Sequence, residues 1–351
     1  MPDTSRPTAA ELRAARSEHR NTRDRDLAAS LGVSEAELVA AHVGHGAVRI
    51  EPHPDRLFPS LAALGPVMGL TRNESCVIEK TGVYDNYQGG GHAALVVSGE
   101  IDLRLFPAHW VHAFALERET ERGPQRSIQV FDAAGDAVHK IFLRPDSDVA
   151  AWVPLVEGLR LADQGAPVAA APRQPAETPA GNPARAGELR EAWARMTDTH
   201  QFLALVSRLK MNRLGAYRIA GEPLARPLEP MAVTRCLEAA AAGGAPIMVF
   251  VGNRGCIEIH TGPVRKVAAM GPWINVLDPG FDLHLRQDHV AEVWAVAKPT
   301  RRGPALSVEC FDAEGALIAQ IFGVLKAGEA AMAAWEAIVA AEPTRLAQAA
   351  E

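Results

Sequence analysis

Asn73-Glu-Ser-Cys-Val-Ile-Glu-Lys-Thr-Gly82 returns about 180 residues later as Asn253-Arg-Gly-Cys-Ile-Glu-Ile-His-Thr-Gly262. The same gapless offset pairs Ile101-Asp-Leu-Arg-Leu with Phe281-Asp-Leu-His-Leu and Arg122-Gly-Pro124 with Arg302-Gly-Pro304. It also pairs Phe131-Asp-Ala-Ala-Gly135 with Phe311-Asp-Ala-Glu-Gly315, and Ile141-Phe142 with Ile321-Phe322. About 16 identities fall in the roughly 42 positions that begin at Ile101. A period this long exceeds any solenoid unit, so the chain is a duplicated domain. Within the first copy, Cys76-Val-Ile-Glu, Ala94-Leu-Val-Val, Ile101-Asp-Leu-Arg-Leu-Phe, Ala113-Phe-Ala-Leu, Ser127-Ile-Gln-Val-Phe and Ala137-Val-His-Lys-Ile-Phe read as strands. Their β-branched and apolar residues recur at a period of two, and Gly and Pro mark the turns between them. Consecutive strands with tight turns make an antiparallel meander rather than βαβ units. The fold class is therefore α+β, a tandem duplication in which each half is an antiparallel β-sheet flanked by helices.

The copies divide the chain as residues 1–163, a linker over 164–187, and residues 188–351. The linker is rich in Ala and Pro, a composition that does not build a core. A helix over 149–162 closes the first copy, and another near 330–341 closes the second. The second copy opens on Trp193-Ala-Arg-Met-Thr-Asp-Thr-His200-Gln-Phe-Leu-Ala-Leu-Val-Ser-Arg-Leu209. Asp198 with Gln201 three places on reads as a capping box, which starts a helix near Thr199. Phe202, Leu205, Val206 and Leu209 form its buried stripe. His200 then lies in the first turn, where the helix dipole favours a neutral imidazole able to bind a metal. The plainer reading is a capping or half-buried histidine.

Duplication separates what the fold needs from what one copy acquired. His200 has no histidine counterpart in the first copy, Arg104 corresponds to His284, Arg118 to Lys298 and Lys140 to Gln320. These unshared polar positions are candidates for a single asymmetric site.

The N-terminal region predicts a helix over 11–20 and then two helices joined at Gly32-Val33, with Ser34 and Glu37 forming a capping box. Residues 26–41 have the outline of a helix-turn-helix, which makes a DNA-binding regulator a remote alternative. Its second helix offers Glu35 and Glu37 where phosphate contacts require Lys or Arg. The net charge of −6 also opposes a general nucleic-acid surface. No apolar run approaches the ~20 residues of a membrane span. The N-terminus lacks a signal core and reads as cytoplasmic. The four cysteines form no CxxC pair and read as free buried thiols.

Read in order, Thr71-Arg-Asn-Glu-Ser-Cys76, Glu100-Ile-Asp-Leu-Arg-Leu-Phe106 with His109-Trp110, Thr197-Asp-Thr-His-Gln-Phe202, His260-Thr-Gly262, and Val293-Trp294 with Lys298-Pro-Thr300 carry a resemblance over nearly the whole chain. The sequence resembles the bacterial haem-degrading factor family, also described as cytoplasmic haem-transport or haem-utilisation proteins. The resemblance implies one haem per chain in a cleft between the halves, with His200 as the iron ligand. It places Arg104 on the opposite face, as the candidate catalytic residue, with Phe106 beside it. Further pocket positions carry over to Arg213, Phe250, Lys298 and Gln320, and Phe106, Phe250 and Met248 can supply the apolar walls. Of these, Arg213 and Lys298 suit the two propionates, as exposed ion pairs worth roughly 0.2–1 kcal/mol each. Phe322 and Leu325 depart from the family, which commonly has Tyr and Arg there. The implied activity is porphyrin ring opening with iron release, in haem uptake and iron acquisition. No G-x-G-x-x-G follows a strand, so electrons come from an external donor. The alternative within the family is a carrier that delivers haem to a haem oxygenase, with a haem-importer component as a further partner.

Overall fold

The structure is a computed structural model, and it describes residues 6–121, 123–165 and 167–345. The first five residues of the polar N-terminus, Arg122 of the first Arg-Gly-Pro turn, Ala166 in the linker and the last six residues of the second copy lie outside the described residues. The first copy supplies α1 (Ala9–Glu18), α2 (Asp24–Ser30), α3 (Glu35–Ala40), β1 (Ala47–Ile50), α4 (Pro54–Leu61), β2 (Val67–Arg72), β3 (Cys76–Gly82), β4 (Tyr87–Gln88), β5 (Ala94–Val97), β6 (Asp102–Leu105), β7 (His112–Thr120), β8 (Gly123–Phe131), β9 (Ala137–Leu143) and α5 (Trp152–Leu159). The second supplies α6 (Ala186–Ala194), α7 (Gln201–Arg208), α8 (Arg213–Ala220), β10 (Ala225–Leu228), α9 (Ala232–Gly243), β11 (Ile247–Gly252), β12 (Cys256–Gly262), β13 (Val267–Met270), β14 (Trp273–Asp278), β15 (Phe281–Arg286), β16 (Glu292–Lys298), β17 (Ala305–Phe311), β18 (Leu317–Gly323) and α10 (Glu329–Ala341). The element order repeats, as the sequence period requires.

The chain forms two compact units, and neither is a continuous copy. The first combines residues up to Arg72 with Glu79–Gln174 and Gly252–Glu258. The second combines Asn73–Ile78 with Pro175–Val251 and the residues from Ile259 onward. Each copy thus gives the other unit a short segment, and the segments exchanged come from the stretch whose recurrence reveals the duplication.

In the first unit, β1, β7, β8, β9 and β2 are neighbours in that order. A second set runs from the start of β12 through β6 and β5 to β4, with Cys256 opposite Leu105 and Glu258 opposite Leu103. All these pairings are antiparallel. Val67, Ile128 and Ile141 of the first set pack with Val96, Leu103 and Leu105 of the second, beneath Phe58 of α4 and Trp152 of α5. The second unit repeats the plan with β10, β16, β17, β18 and β11. There Val249, Val308 and Ile321 pack with Val276, Leu283 and Leu285, under Leu237 of α9 and Trp335 of α10. Strands such as β2 alternate buried and half-buried residues, the period-two pattern of a sheet with one face in the core. Both copies carry a register shift at the same place, Val130/Phe131 and Cys310/Phe311. The recurrent Phe-Asp-Ala-x-Gly follows it. Asp132 and Asp312 accept turn amides through their carboxylates, and Gly135 and Gly315 adopt φ of +79° and +90°, which favours glycine.

The helix-turn-helix outline is real as secondary structure. Ser34 and Glu37 form the capping box, and Gly32 turns the chain at φ +69°. The second helix is packed rather than presented: Glu35, Ala36, Leu38 and Val39 are buried, and Glu35 accepts from Lys140 Nζ at 2.5 Å. It offers no free face to a DNA groove. The Ala- and Pro-rich linker has no helix or strand among its described residues until Pro183, yet it is tied down. Val168 joins a core cluster, and Ala180 and Asn212 exchange hydrogen bonds of 3.0 Å. A segment too poor in apolar residues to form a core still adds to one already built. Among the described residues no helix is long and apolar enough to cross a membrane.

Candidate functional site

Residues directly opposite on neighbouring strands share a face. In the second unit Met248 faces Phe322 and Phe250 faces Gln320 across β11 and β18, while Ser307 faces Phe322 and Glu309 faces Gln320 across β17 and β18. Met248, Phe250, Gln320 and Phe322 are half-buried. The rings of Phe250 and Phe322 meet edge to face at 5.3 Å. Phe322 therefore adds an apolar surface to this face. Helices α6 to α8 bring Trp193, Phe202 and Tyr217 into a core cluster with Trp294, Val296 and Phe311 of the strands.

A buried charged cluster adjoins this face. Glu309 is fully buried and accepts from Lys298 Nζ at 2.6 Å, Tyr217 Oη at 2.8 Å, Ser307 Oγ at 2.9 Å and Arg213 Nη1 at 3.1 Å. Burial alone would raise the Glu309 carboxyl, but Lys298 and Arg213 hold it down to about 2. Burial brings the Lys298 ammonium down to about 8 despite that carboxylate. At neutral pH the cluster therefore carries two positive charges and one negative. The expectation of an exposed ion pair fails for Lys298. Its side chain is 3% exposed and already paired, because β16 turns it inward beneath Phe202, Tyr217 and Phe322. Arg213, the first residue of α8, keeps 21% of its side chain exposed and has charge left for a ligand.

His200 precedes α7 rather than lying inside its first turn. Asp198 is not a helix cap: its carboxylate accepts the His200 amide at 2.8 Å and lies 2.6 Å from His200 Nδ1. The Gln201 side chain reaches back to the Thr197 amide at 2.9 Å, half of the expected box displaced by one residue. The imidazole is 93% exposed, so neither a cap nor a half-buried histidine describes it. A carboxylate on Nδ1 fixes the proton there and leaves the Nε2 lone pair facing outward. Two residues on, the Phe202 ring lies 5.0 Å from Lys298 Nζ and 5.9 Å from the Arg213 guanidinium. One short stretch thus links the exposed imidazole to the charged cluster and its sheet face.

Arg104 and Phe106 belong to the first unit. Arg104 on β6 pairs with Asp102, donates to the Leu103 carbonyl at 3.0 Å and is 34% exposed. Phe106 is half-buried, and its amide donates to the Gly255 carbonyl at 2.9 Å. Sequence reasoning missed Glu309 and Tyr217. Glu309 stands where the first copy has Gln129, and that substitution was the available signal.

Residues 32–159 and 210–341 each match the haemin-degrading HemS.ChuX domain. The hemin transport protein HmuS of Yersinia pestis is 37% identical over 329 residues, covering 93% of this chain and 94% of that protein. Among solved structures, the heme-binding protein PhuS of Pseudomonas aeruginosa in its holo form superposes with a TM-score of 0.91 and is 48% identical, over 97% of this chain and 100% of that one. The heme degrading enzyme ChuS of Escherichia coli O157:H7 superposes with a TM-score of 0.86 and is 34% identical, over 95% and 98%.

Proposed function

The chain belongs to the haemin-degrading HemS/ChuX family, and from that premise we propose that it binds haem and serves haem uptake, opening the porphyrin ring and releasing iron with electrons from an external donor. The observation that carries the reading is His200, an exposed imidazole whose Nδ1 is held by Asp198 and whose Nε2 is available. A single imidazole suits iron that arrives within its own macrocycle. The half-buried Met248, Phe250 and Phe322 fit the apolar ring, and Arg213 fits a propionate. Lys298 acts behind Arg213, through Glu309. Gln320 lies on the same face as a hydrogen-bonding group. We place the protein in the cytoplasm, receiving haem from an importer component.

Hemin titration should break near one equivalent per chain, because only the second copy carries the ligand histidine. A break near two equivalents would reject the single site. Adding reductant and oxygen, with catalase present, should then bleach the Soret band. A stable Soret band would leave a carrier that passes haem to a haem oxygenase. Arg104 is proposed to act mainly in the oxygen-dependent step, with Phe106 supplying an apolar wall for the ring. Arg104→Ala should keep the hemin affinity and slow bleaching on the order of 10²-fold, as loss of one preorganised donor does. An unchanged rate would remove Arg104 from the chemistry.

A further inference from the structure

The core of the first unit holds a polar cluster that its duplicate lacks. His139 of β9 is buried, with Nε2 2.6 Å from the Tyr84 hydroxyl and Nδ1 2.8 Å from Thr71 Oγ1. Cys256 Sγ lies 3.5 Å from the same threonine oxygen. Glu258, from the segment given by the second copy, is fully buried 3.9 Å from His139 Nδ1. Neither carboxylate oxygen has a partner within hydrogen-bond geometry among the described residues, although Thr71 lies close enough to favour the ionised form. Gly69 leaves the space: a Cβ there would sit 2.1 Å from the Tyr84 hydroxyl and 3.3 Å from Glu258 Oε1. The duplicate positions are Val249 for Gly69, Val251 for Thr71, Val264 for Tyr84, Ala319 for His139 and Ile78 for Glu258, all in the apolar core of the second unit. The fold therefore closes with apolar residues at all five places. A buried carboxyl with at best one weak neighbour is costly, and one retained where the duplicate shows an apolar solution points to a role.

The borrowed segment links this cluster to the strand of Arg104. Cys256, Ile257 and Glu258 pair with Leu105, Arg104 and Leu103. The Gly255 carbonyl accepts from the Phe106 amide and from Trp110 Nε1 at 2.8 Å. Asn253 anchors the segment to the Arg72 and Val138 carbonyls at 2.9 Å. We propose that Glu258 and His139 form a proton-dependent brace for β6, holding Arg104 and Phe106 in register while Glu258 is neutral and loosening when it ionises.

Burial raises the Glu258 carboxyl from 4.5 to about 8 and lowers the His139 imidazole from 6.5 to about 3. Lys80 and Glu79 of β3 act on Glu258 with opposite signs, and Lys80 also pairs with Glu100 at 3.7 Å. Burial keeps Tyr84 and Cys256 protonated throughout the neutral range. The folded unit holds the Glu258 proton where the unfolded chain has lost it, so this group removes stability as pH rises from 4.5 to about 8. His139 is neutral when folded, so it adds stability as pH rises from about 3 to 6.5. The slopes cancel between 4.5 and 6.5, and from 6.5 to about 8 the Glu258 loss stands alone.

The test is hydrogen exchange of the haem-free full chain from pH 6 to 8.5, corrected for intrinsic rates and read at residues 103–106. Because no haem is present, the outcome is independent of the haem reading. Opening of β6 should rise about tenfold per pH unit through the upper window, the slope of a single linked proton. Glu258→Gln should abolish that slope. Glu258→Ile, which copies Ile78 of the second unit, should do the same and carries the test if the amide variant unfolds. A wild-type chain without the slope, or a folded variant that keeps it, overturns the proposal.

Discussion

Replacing His200 with Ala will shift the Soret and visible bands of the haem complex while leaving haem bound. The imidazole stands before α7, exposed, with Asp198 on Nδ1. Its removal costs the axial bond but leaves the apolar face of Met248, Phe250 and Phe322 and the Arg213 charge. Binding should persist with a different iron ligand or a water. Asp198→Asn should show a smaller shift of the same kind, because an amide orients the ring without strengthening Nε2 as a donor to iron. An unchanged spectrum for His200→Ala would move the ligand elsewhere.

Glu309→Ala should destabilise the second unit by roughly 3–5 kcal/mol, the range for breaking a buried ion pair from one side. Glu309 accepts four hydrogen bonds, and its removal leaves the buried Lys298 ammonium and the mostly buried Arg213 guanidinium facing each other. Lys298→Ala should cost less, since Arg213 still neutralises the carboxylate. Urea unfolding monitored by the fluorescence of Trp193 and Trp294 reads the difference. A loss below about 1 kcal/mol for Glu309→Ala would show that water reaches the cluster and screens it. The first unit solves the same problem differently. Gln129 stands at the Glu309 position, while Arg118 pairs with Asp24 at 2.6 Å and Lys140 with Glu35 at 2.5 Å.

Period and pattern reached far into this fold. The offset of the duplicated motifs, the period-two strands, the Ser34–Glu37 box and the glycine turns are local or repetitive signals, and each forms where the residues predict it. The site was partly legible for the same reason. His200, Lys298 and Gln320 stood out because the copies differ there, Lys298 and Gln320 corresponding to Arg118 and Lys140, whereas Arg213 came only from the family resemblance. Their environments were not legible. Lys298 on a strand reads equally well as an exposed or a buried cation until the helices that cover it are placed. Asp198 with Gln201 matches the spacing of a capping box, but the carboxylate takes the His200 amide and the helix begins later.

By itself the sequence determined that there are two copies, that each is an antiparallel sheet with helices, and that one histidine-bearing helix start belongs to the second copy alone. Only the tertiary structure decided which partner each Asn-x-x-Cys strand takes. Both strands open on the same Asn-x-x-Cys turn, so the turn alone does not distinguish their neighbours. What separates them is the core each enters: Ile78 goes to an apolar one, and Glu258 to the one where Gly69 leaves space beside His139 and Tyr84.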